Sequence, residues 1–442
     1  MEFDPVILSR LQFGLTASFH IIFPCLVIGL AFYLAIQEFL WLKTKKKIYL
    51  IQYQFWLKPF TVVFLIGMIT GVVLSYQLDT SFAGFYEKTA SILVPIRNIE
   101  LVNVILLEGG TLGIMIWGWQ RVGKRLHFTA TLMMVLGVLI SAVCITARNS
   151  WMQTPDGFSL INDQIIIHDW ASAVFNPSFP YRFSHMLVAA FLSSAFFILG
   201  ISAWFLIKKQ HRYFARHSLR FSLIAVIIIT PVQIFLGHLH GMNTHEYQPL
   251  KIAAIEGLWQ TQKGAPMVLF GIPDQENEYN RHSLEIPKLA SLIITHDINS
   301  ELIGLKETPK MERPNVPIVF FSFRIMVIIS IFMLITGLTG LVLIKKKRLY
   351  HNDWFLRMCI AMMPSGLVAT IAGWCVSEVG RQPWTVTGLL KTTDIVTSTP
   401  GTRIIEFMSY IGAFYIFLFS FFIYSIRRFI KHGPRRVYAS CL

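Results

Sequence analysis

Nine long apolar runs dominate the sequence, at roughly 13–36, 54–75, 92–118, 126–147, 183–207, 219–240, 317–344, 354–376 and 405–426. A run of about 20 apolar residues is what a helix needs to cross the hydrocarbon of a bilayer. Backbone N–H and C=O groups in hydrocarbon must be satisfied within the segment, so the runs are expected to be helices. A β-barrel would show short alternating segments, and none is visible. The expected fold class is therefore an all-α polytopic membrane protein with nine transmembrane helices in helical bundles. Composition agrees: of 442 residues, 54% are hydrophobic and only 14% charged. Soluble domains carry about 25% charged residues, and disordered chains have low hydrophobicity, so both classes are excluded.

The net charge of +15, from 39 Lys and Arg against 24 Asp and Glu, has the sign that suits nucleic acid. Its distribution points to a lipid bilayer instead, with no nucleic-acid partner. One set of alternate loops holds Lys43, Lys45, Lys46 and Lys47, then Arg121, Lys124 and Arg125, then Lys208, Lys209, Arg212, Arg216 and Arg220. It continues with Lys345 to Arg348 and Arg357, and ends on Arg427, Arg428, Lys431, Arg435 and Arg436, against only Glu38 and Asp353. The other set is balanced or acidic, with Asp79, Glu87 and Lys88, then Asp156, Asp163, Asp169 and Arg182. Cationic loops stay on the cytoplasmic side, which places the N-terminus outside and the C-terminus inside. Cys25, Cys144, Cys359, Cys375 and Cys441 match no metal spacing and read as small core residues. The opening Met-Glu-Phe-Asp-Pro lacks the basic region of a cleaved signal.

Three regions follow: helices one to six over 1–240, an extramembrane loop over 241–316, and helices seven to nine over 317–442. The loop contains prolines at 249, 266, 273, 287, 309 and 314. Its turn punctuation around Val268-Leu269-Phe270-Gly271-Ile272-Pro273-Asp274-Gln275 predicts an ordered, functional segment rather than a linker.

Ionisable groups inside a span are costly and mark function. His20 lies in the first helix, Glu100 and Glu108 in the third, and His185 opens the fifth. Arg324 and Met326 open the seventh, while Glu378 and Arg381 close the eighth. Singly, each has an ordinary explanation: a helix-to-helix hydrogen bond, core packing, or an arginine reaching the headgroups. Together, His20, Glu100, His185, Met326 and Glu378 come from five helices and share the outer depth of the bilayer, with His20 roughly 10 Å below the start of its span. Imidazole with thioether is an axial pair for low-spin haem, a carboxylate or histidine with an open position suits a high-spin haem, and arginines suit propionates. Glu108 is two turns beyond Glu100 and roughly 80° around an α-helix, so it would lie on a path leading from Glu100 toward the cytoplasm.

At this point the sequence resembles subunit I of cytochrome bd-type quinol oxidases over essentially its whole length. The matching stretches are Ser9-Arg10-Leu11-Gln12-Phe13 leading to His20, Gly118-Trp119-Gln120-Arg121, and Trp151-Met152-Gln153. They continue with Gln248-Pro249-Leu250-Lys251 through Ala254-Ile255-Glu256-Gly257, and Phe270-Gly271-Ile272-Pro273-Asp274-Gln275. Phe323-Arg324-Ile325-Met326 and Gly380-Arg381-Gln382-Pro383-Trp384 complete the set. The resemblance implies that His185 and Met326 ligate a low-spin haem b. His20, Glu100 and Glu378 would surround a high-spin haem b and a haem d, or a further haem b. Arg324 and Arg381 would hold propionates, with Trp374 and Gln382 also against the haems. Glu108 with Ser141 would belong to the proton route, and Lys251, Glu256 and His238 to quinol binding in the 241–316 Q-loop. That loop is of the short form, like the cyanide-insensitive branch.

The resemblance also implies a second large subunit, room for a small single-helix accessory subunit, and the bacterial cytoplasmic membrane. Two departures stand out. The family usually has a small uncharged run before the first helix-three glutamate, whereas this chain reads Pro95-Ile96-Arg97-Asn98-Ile99-Glu100. An arginine beside a carboxylate changes how it meets iron or protons. Where the family often shows Gly-Asp, this chain has Gly237-His238, and a histidine there can still bond a quinol hydroxyl.

The expected function is a terminal oxidase: quinol loses electrons inward and protons outward, oxygen becomes water, and protons enter from the cytoplasm past Glu108. Two other readings start from the same residues. A proton-coupled secondary transporter explains the carboxylates but not the His–Met pair. A haem-bearing subunit of a quinone-linked dehydrogenase explains the haems without oxygen chemistry.

Overall fold

The computed structural model describes residues 4–434 apart from Asp163 and Ser398. Asp163, Arg435, Arg436 and Cys441, used above in the charge and cysteine arguments, lie outside the described residues. Among the described residues, nine helical segments are long and apolar enough to cross a membrane. The helices in chain order are α1 (Pro5–Thr44), α2 (Lys47–Ser81), α3 (Ala83–Val102), α4 (Gly110–Trp117), α5 (Lys124–Gln153), α6 (Trp170–Val174), α7 (Phe179–Ile207) and α8 (Arg212–Tyr247). They continue with α9 (Pro249–Glu256), α10 (Leu289–Thr295), α11 (Val316–Lys345), α12 (Asp353–Ala361), α13 (Ser365–Val379) and α14 (Gly401–His432). Short antiparallel pairings lie between them: β1 (Phe158–Ile161) with β2 (Gln164–Ile167), β3 (Gln262–Lys263) with β6 (Glu301–Leu302), β4 (Met267–Asp274) with β5 (Tyr279–Ile286), and β7 (Trp384–Val386) with β8 (Leu390–Lys391).

Local chemistry sets the helix ends. Asp4 caps α1 by accepting from the Val6 N–H at 2.9 Å, ahead of Pro5. Asn315 caps α11 on the Ile318 N–H at 3.1 Å, with Pro317 in the first turn. A side-chain oxygen there satisfies one of the four free N–H groups of the first turn, and proline lacks the donor that would otherwise be orphaned. The eighth span is two helices, α12 and α13, parted at Met362–Pro364 because Pro364 cannot continue the ladder. The third span carries a π-helical stretch, Asn103–Gly109, between α3 and α4.

The main core joins α1, α2, α5, α7 and α8 around Phe23, Trp56, Phe60, Phe196 and Phe205, all fully buried. Leu106, Val72, Ile228, Phe235 and Ile416 are exposed on outer faces, where lipid rather than water would cover them. The loop has its own small core, with Ile252, Ile255, Trp259, Ala290, Ile294 and Leu305 packed on Val316 and Val319 of α11. It is ordered, as its turn pattern suggested.

Three sequence-based expectations need correction, and one helix is longer than its apolar run. The sixth helix runs on to Tyr247, so the first seven residues of the 241–316 segment are helical. Helix α1 starts at Pro5, eight residues before its apolar window, so it extends past the run from which the depth of His20 is counted. Glu38 is no loop charge: it is fully buried, 2.6 Å from His127 Nδ1 and accepting from Thr131 at 2.6 Å. Arg182 is likewise a buried residue of α7 and not a loop cation.

Candidate functional site

Helices α7, α8, α11 and α13 pack side by side and bring the His185 and Met326 positions into one bundle. Each side chain faces a glycine of a neighbouring helix. A Cβ at Gly237 of α8 would stand 3.2 Å from the His185 ring, and one at Gly373 of α13 would stand 3.2 Å from the Met326 sulfur. Gln233 Nε2 lies 3.2–3.3 Å from the two His185 ring nitrogens, and the His240 ring is 5.6 Å away. Glycine at both facing positions leaves the cradle a flat ligand needs.

Beside this cradle lies a buried polar network. Glu378 accepts from Asn149 at 2.8 Å, from Arg381 at 2.6 Å, and from Gln153 and Ser377 at 3.3 Å. Arg182 donates to Ser377 Oγ at 2.7 Å. Lys251, 3% exposed, donates to Gln153 Oε1 at 2.7 Å and Gln248 Oε1 at 2.6 Å. Burial, reinforced by Arg182 and Arg381, holds the Lys251 ammonium well below the ordinary lysine range. Three buried cations, Arg182, Lys251 and Arg381, thus surround a single carboxylate, and Arg182 Nε with Arg381 Nε and Nη1 have no protein partner. Buried unpaired cations and orphaned donors are costly, so the site calls for anionic acceptors of the kind a haem's propionates supply. Gln153 and Gln248 belong to stretches already picked out for the resemblance. Arg182 was misread as a loop charge, although a cation next to an apolar run was its signal.

His20 is poised differently. Thr70 donates its hydroxyl to the Ile66 and Gly67 carbonyls at 2.9 and 3.1 Å, and its oxygen is 2.9 Å from His20 Nδ1. With the Thr70 proton directed to the backbone, its oxygen accepts from His20 Nδ1, the tautomer that would leave the Nε2 lone pair for a metal.

The third span departs from the simple helical reading. Glu108 sits within the π stretch and accepts from Asn103 at 2.9 Å and from Ser141 at 2.6 Å. Because a π turn takes more residues than an α turn, it removes part of the 80° offset expected between Glu100 and Glu108. Glu100 itself pairs with Arg148 of α5. Arg97, expected beside Glu100, instead reaches Asp79 at 3.1 Å and stacks over Tyr86. Arg148 and Asn149, adjacent on α5, therefore hold the two candidate ligand carboxylates Glu100 and Glu378. Sequence reasoning missed Arg148, although an arginine inside a span is itself the signal.

At the loop, Arg324 donates to Val268 O at 2.5 Å and to the Ile255 carbonyl, lies over the Phe320 ring at 3.4 Å, and stands 3.9 Å from Glu256. Most of its donors thus tie α11 to the loop, while its Nε has no partner. Glu256 is buried, and desolvation, only partly offset by Arg324, pushes its carboxyl up to about 7. His238 turns to His296 of α10 at 2.9 Å, whereas His240 is the one beside His185. Trp374 is half-buried one turn before Glu378, and Gln382 accepts from Thr392 at 2.8 Å.

The comparisons identify the family. The family model described as cytochrome bd terminal oxidase subunit I matches residues 8–434. Cytochrome bd ubiquinol oxidase subunit 1 of Bacillus subtilis (strain 168) is 31% identical over 440 residues, covering 97% of this chain and 94% of that protein. Cytochrome bd-II ubiquinol oxidase subunit 1 of Escherichia coli (strain K12) is 29% identical over 500 residues, covering 98% and 97%. The solved bd oxidase of Geobacillus thermodenitrificans superposes with a TM-score of 0.91 at 28% identity, covering 98% of this chain and all of that one. A family model matched over nearly the whole chain, with a curated relative at 31% identity, leads to one conclusion: the chain belongs to the cytochrome bd terminal oxidase subunit I family.

Proposed function

We propose that the protein is the haem-bearing subunit of a terminal oxidase that takes electrons from quinol and passes them to oxygen. Family membership supports quinol:oxygen oxidoreductase activity, and it favours neither the transporter nor the dehydrogenase-subunit reading. The observation that carries the proposal is the buried excess of Arg182, Lys251 and Arg381 over Glu378, with guanidinium donors left unpartnered.

His185 and Met326 would hold a low-spin haem b. His20, with Glu100 and Glu378 nearby on other helices, would serve a high-spin haem b and a haem d or further haem b. Arg182 and Arg381 would hold propionates, Arg324 would contribute its free Nε, and Trp374 and Gln382 would line the same region. When bound, these haems supply the electron carriers and the oxygen-reducing centre.

The chain's own residues handle position and protons. Quinol docks against α9 and the loop, where Glu256, ionised above about pH 7 and supported as a carboxylate by Arg324, takes a quinol O–H proton and becomes the neutral acid. Lys251 hydrogen-bonds the quinol ring oxygen, and the imidazole of His238 lies at the loop's contact with α8. Asn103 and Ser141 position Glu108 to hand protons toward the oxygen side. With the N-terminus outside and the C-terminus inside, as the cationic loops require, protons released at the loop and taken up through Glu108 move charge across the bacterial cytoplasmic membrane. The short loop fits the cyanide-insensitive branch. A second large subunit, and a small single-helix one, would cover part of the exposed apolar faces. The test is purification of the complex: Soret absorption with quinol-driven oxygen consumption is expected, and a colourless, folded complex overturns the proposal.

A further inference from the structure

His238, near the end of α8, and His296, which closes α10, turn their Nε2 atoms toward each other at 2.9 Å, with ring centroids 5.1 Å apart. Residues two apart on a helix point about 200° away from each other, so His238 looks away from the cradle that His240 faces. A hollow of about 360 Å³ begins one residue from each histidine, at Leu239 and Thr295, and is bordered by Tyr181, Met242, Asn243, His245 and Glu246. His296 is exposed and left-handed, at φ +61°, and ends a helix of only seven residues.

Two imidazole nitrogens at this distance share one proton, since one must donate and the other accept. The same two nitrogens suit a divalent ion of borderline softness. Zn–N bonds of about 2.0–2.1 Å at a tetrahedral angle set the two nitrogens about 3.3 Å apart. The observed pair needs to open by only about half an ångström, and an exposed helix cap can supply that. On binding, the shared Nε2 proton leaves and the donor ring takes one at Nδ1, so no net proton is released. Among the described residues no third His, Cys, Asp or Glu joins the pair, so water fills the other positions.

We propose that His238 and His296 form a site for a divalent transition-metal ion such as Zn²⁺, which staples α10 of the loop to the sixth span. Hard ions such as Mg²⁺ do not compete, because imidazole is a poor ligand for them. The site stands on this geometry alone, whether or not the loop receives quinol.

Calorimetric titration of the tag-free, haem-loaded complex with ZnCl₂ in excess Mg²⁺ tests it without turnover. One Zn²⁺ per chain is expected, with affinity at least tenfold weaker in His296→Asn and in His238→Gln. Asparagine tolerates the left-handed cap, and an unchanged haem spectrum verifies that each variant is folded. Amide exchange over 289–296 should slow with Zn²⁺ in the parent protein and not in His296→Asn. An isotherm unchanged by either substitution, or exchange in α10 indifferent to Zn²⁺, overturns the site.

Discussion

Arg148 of α5 forms an ion pair with Glu100 of α3, and both side chains are largely buried. The next residue of α5, Asn149, donates to Glu378 at 2.8 Å. One turn of one helix therefore positions two carboxylates that come from opposite ends of the chain, and the charge partner of Glu100 lies 48 residues away from it.

Removing that partner should be costly. Arg148→Met leaves the Glu100 carboxyl buried without its charge partner, with an expected loss of about 3 kcal/mol, the lower end for breaking a buried pair. The double variant Arg148→Met with Glu100→Gln should recover most of that loss. Thermal unfolding of the purified complex measures the cycle. A single variant as stable as the parent would show that the pair has no structural weight.

Glu256 makes the loop sensitive to pH. Its carboxyl titrates near 7 when folded against 4.5 ordinarily, so the folded state favours the protonated form. That contribution to stability is complete below pH 4.5 and is lost as pH rises through about 7. Quinol oxidation should move oppositely, rising toward and above pH 7 as the carboxylate becomes able to accept a proton. Glu256→Gln should flatten the profile and lower the rate by about 10²-fold, the lower range for a positioned base, while oxygen reduction with artificial electron donors persists. An identical pH profile in the variant would remove Glu256 from proton transfer.

Met326→Leu should convert the low-spin haem to high-spin, because leucine offers no lone pair, while His20 variants keep the low-spin signature. Thr70→Val should loosen His20 without removing it, since Nδ1 loses its acceptor. A reduced spectrum unaltered by Met326→Leu would exclude that ligand.

Glu108→Gln should slow oxygen reduction by about 10²-fold and spare reduction of the haems by quinol. Ser141→Ala, which removes one of two donors to the same carboxylate, should cost less than Glu108→Gln does. Stopped-flow kinetics separate haem reduction from oxygen turnover. Equal loss in both phases for Glu108→Gln would indicate a folding role.

The nine spans, their helical nature and the ordered loop were legible from the sequence, as was the placing of His20, His185, Met326, Glu108 and Glu378 among apolar neighbours. They depend on local properties: apolar run length, caps and prolines, and the rarity of ionisable groups among apolar neighbours. Pairings were not legible. Nothing near Arg97 in the sequence says that it turns to Asp79, or that Arg148 takes its place at Glu100. The same holds for Glu38, which reads as a loop charge yet is sealed against His127 and Thr131.

The order of apolar and polar residues along this chain determined the apolar spans and which ionisable side chains lie among them. Which of those side chains touch, and what charge each one feels, was decided only when helices distant in sequence packed together. A backbone in hydrocarbon satisfies itself within its own segment, whereas a buried charge must find its partner on a different one.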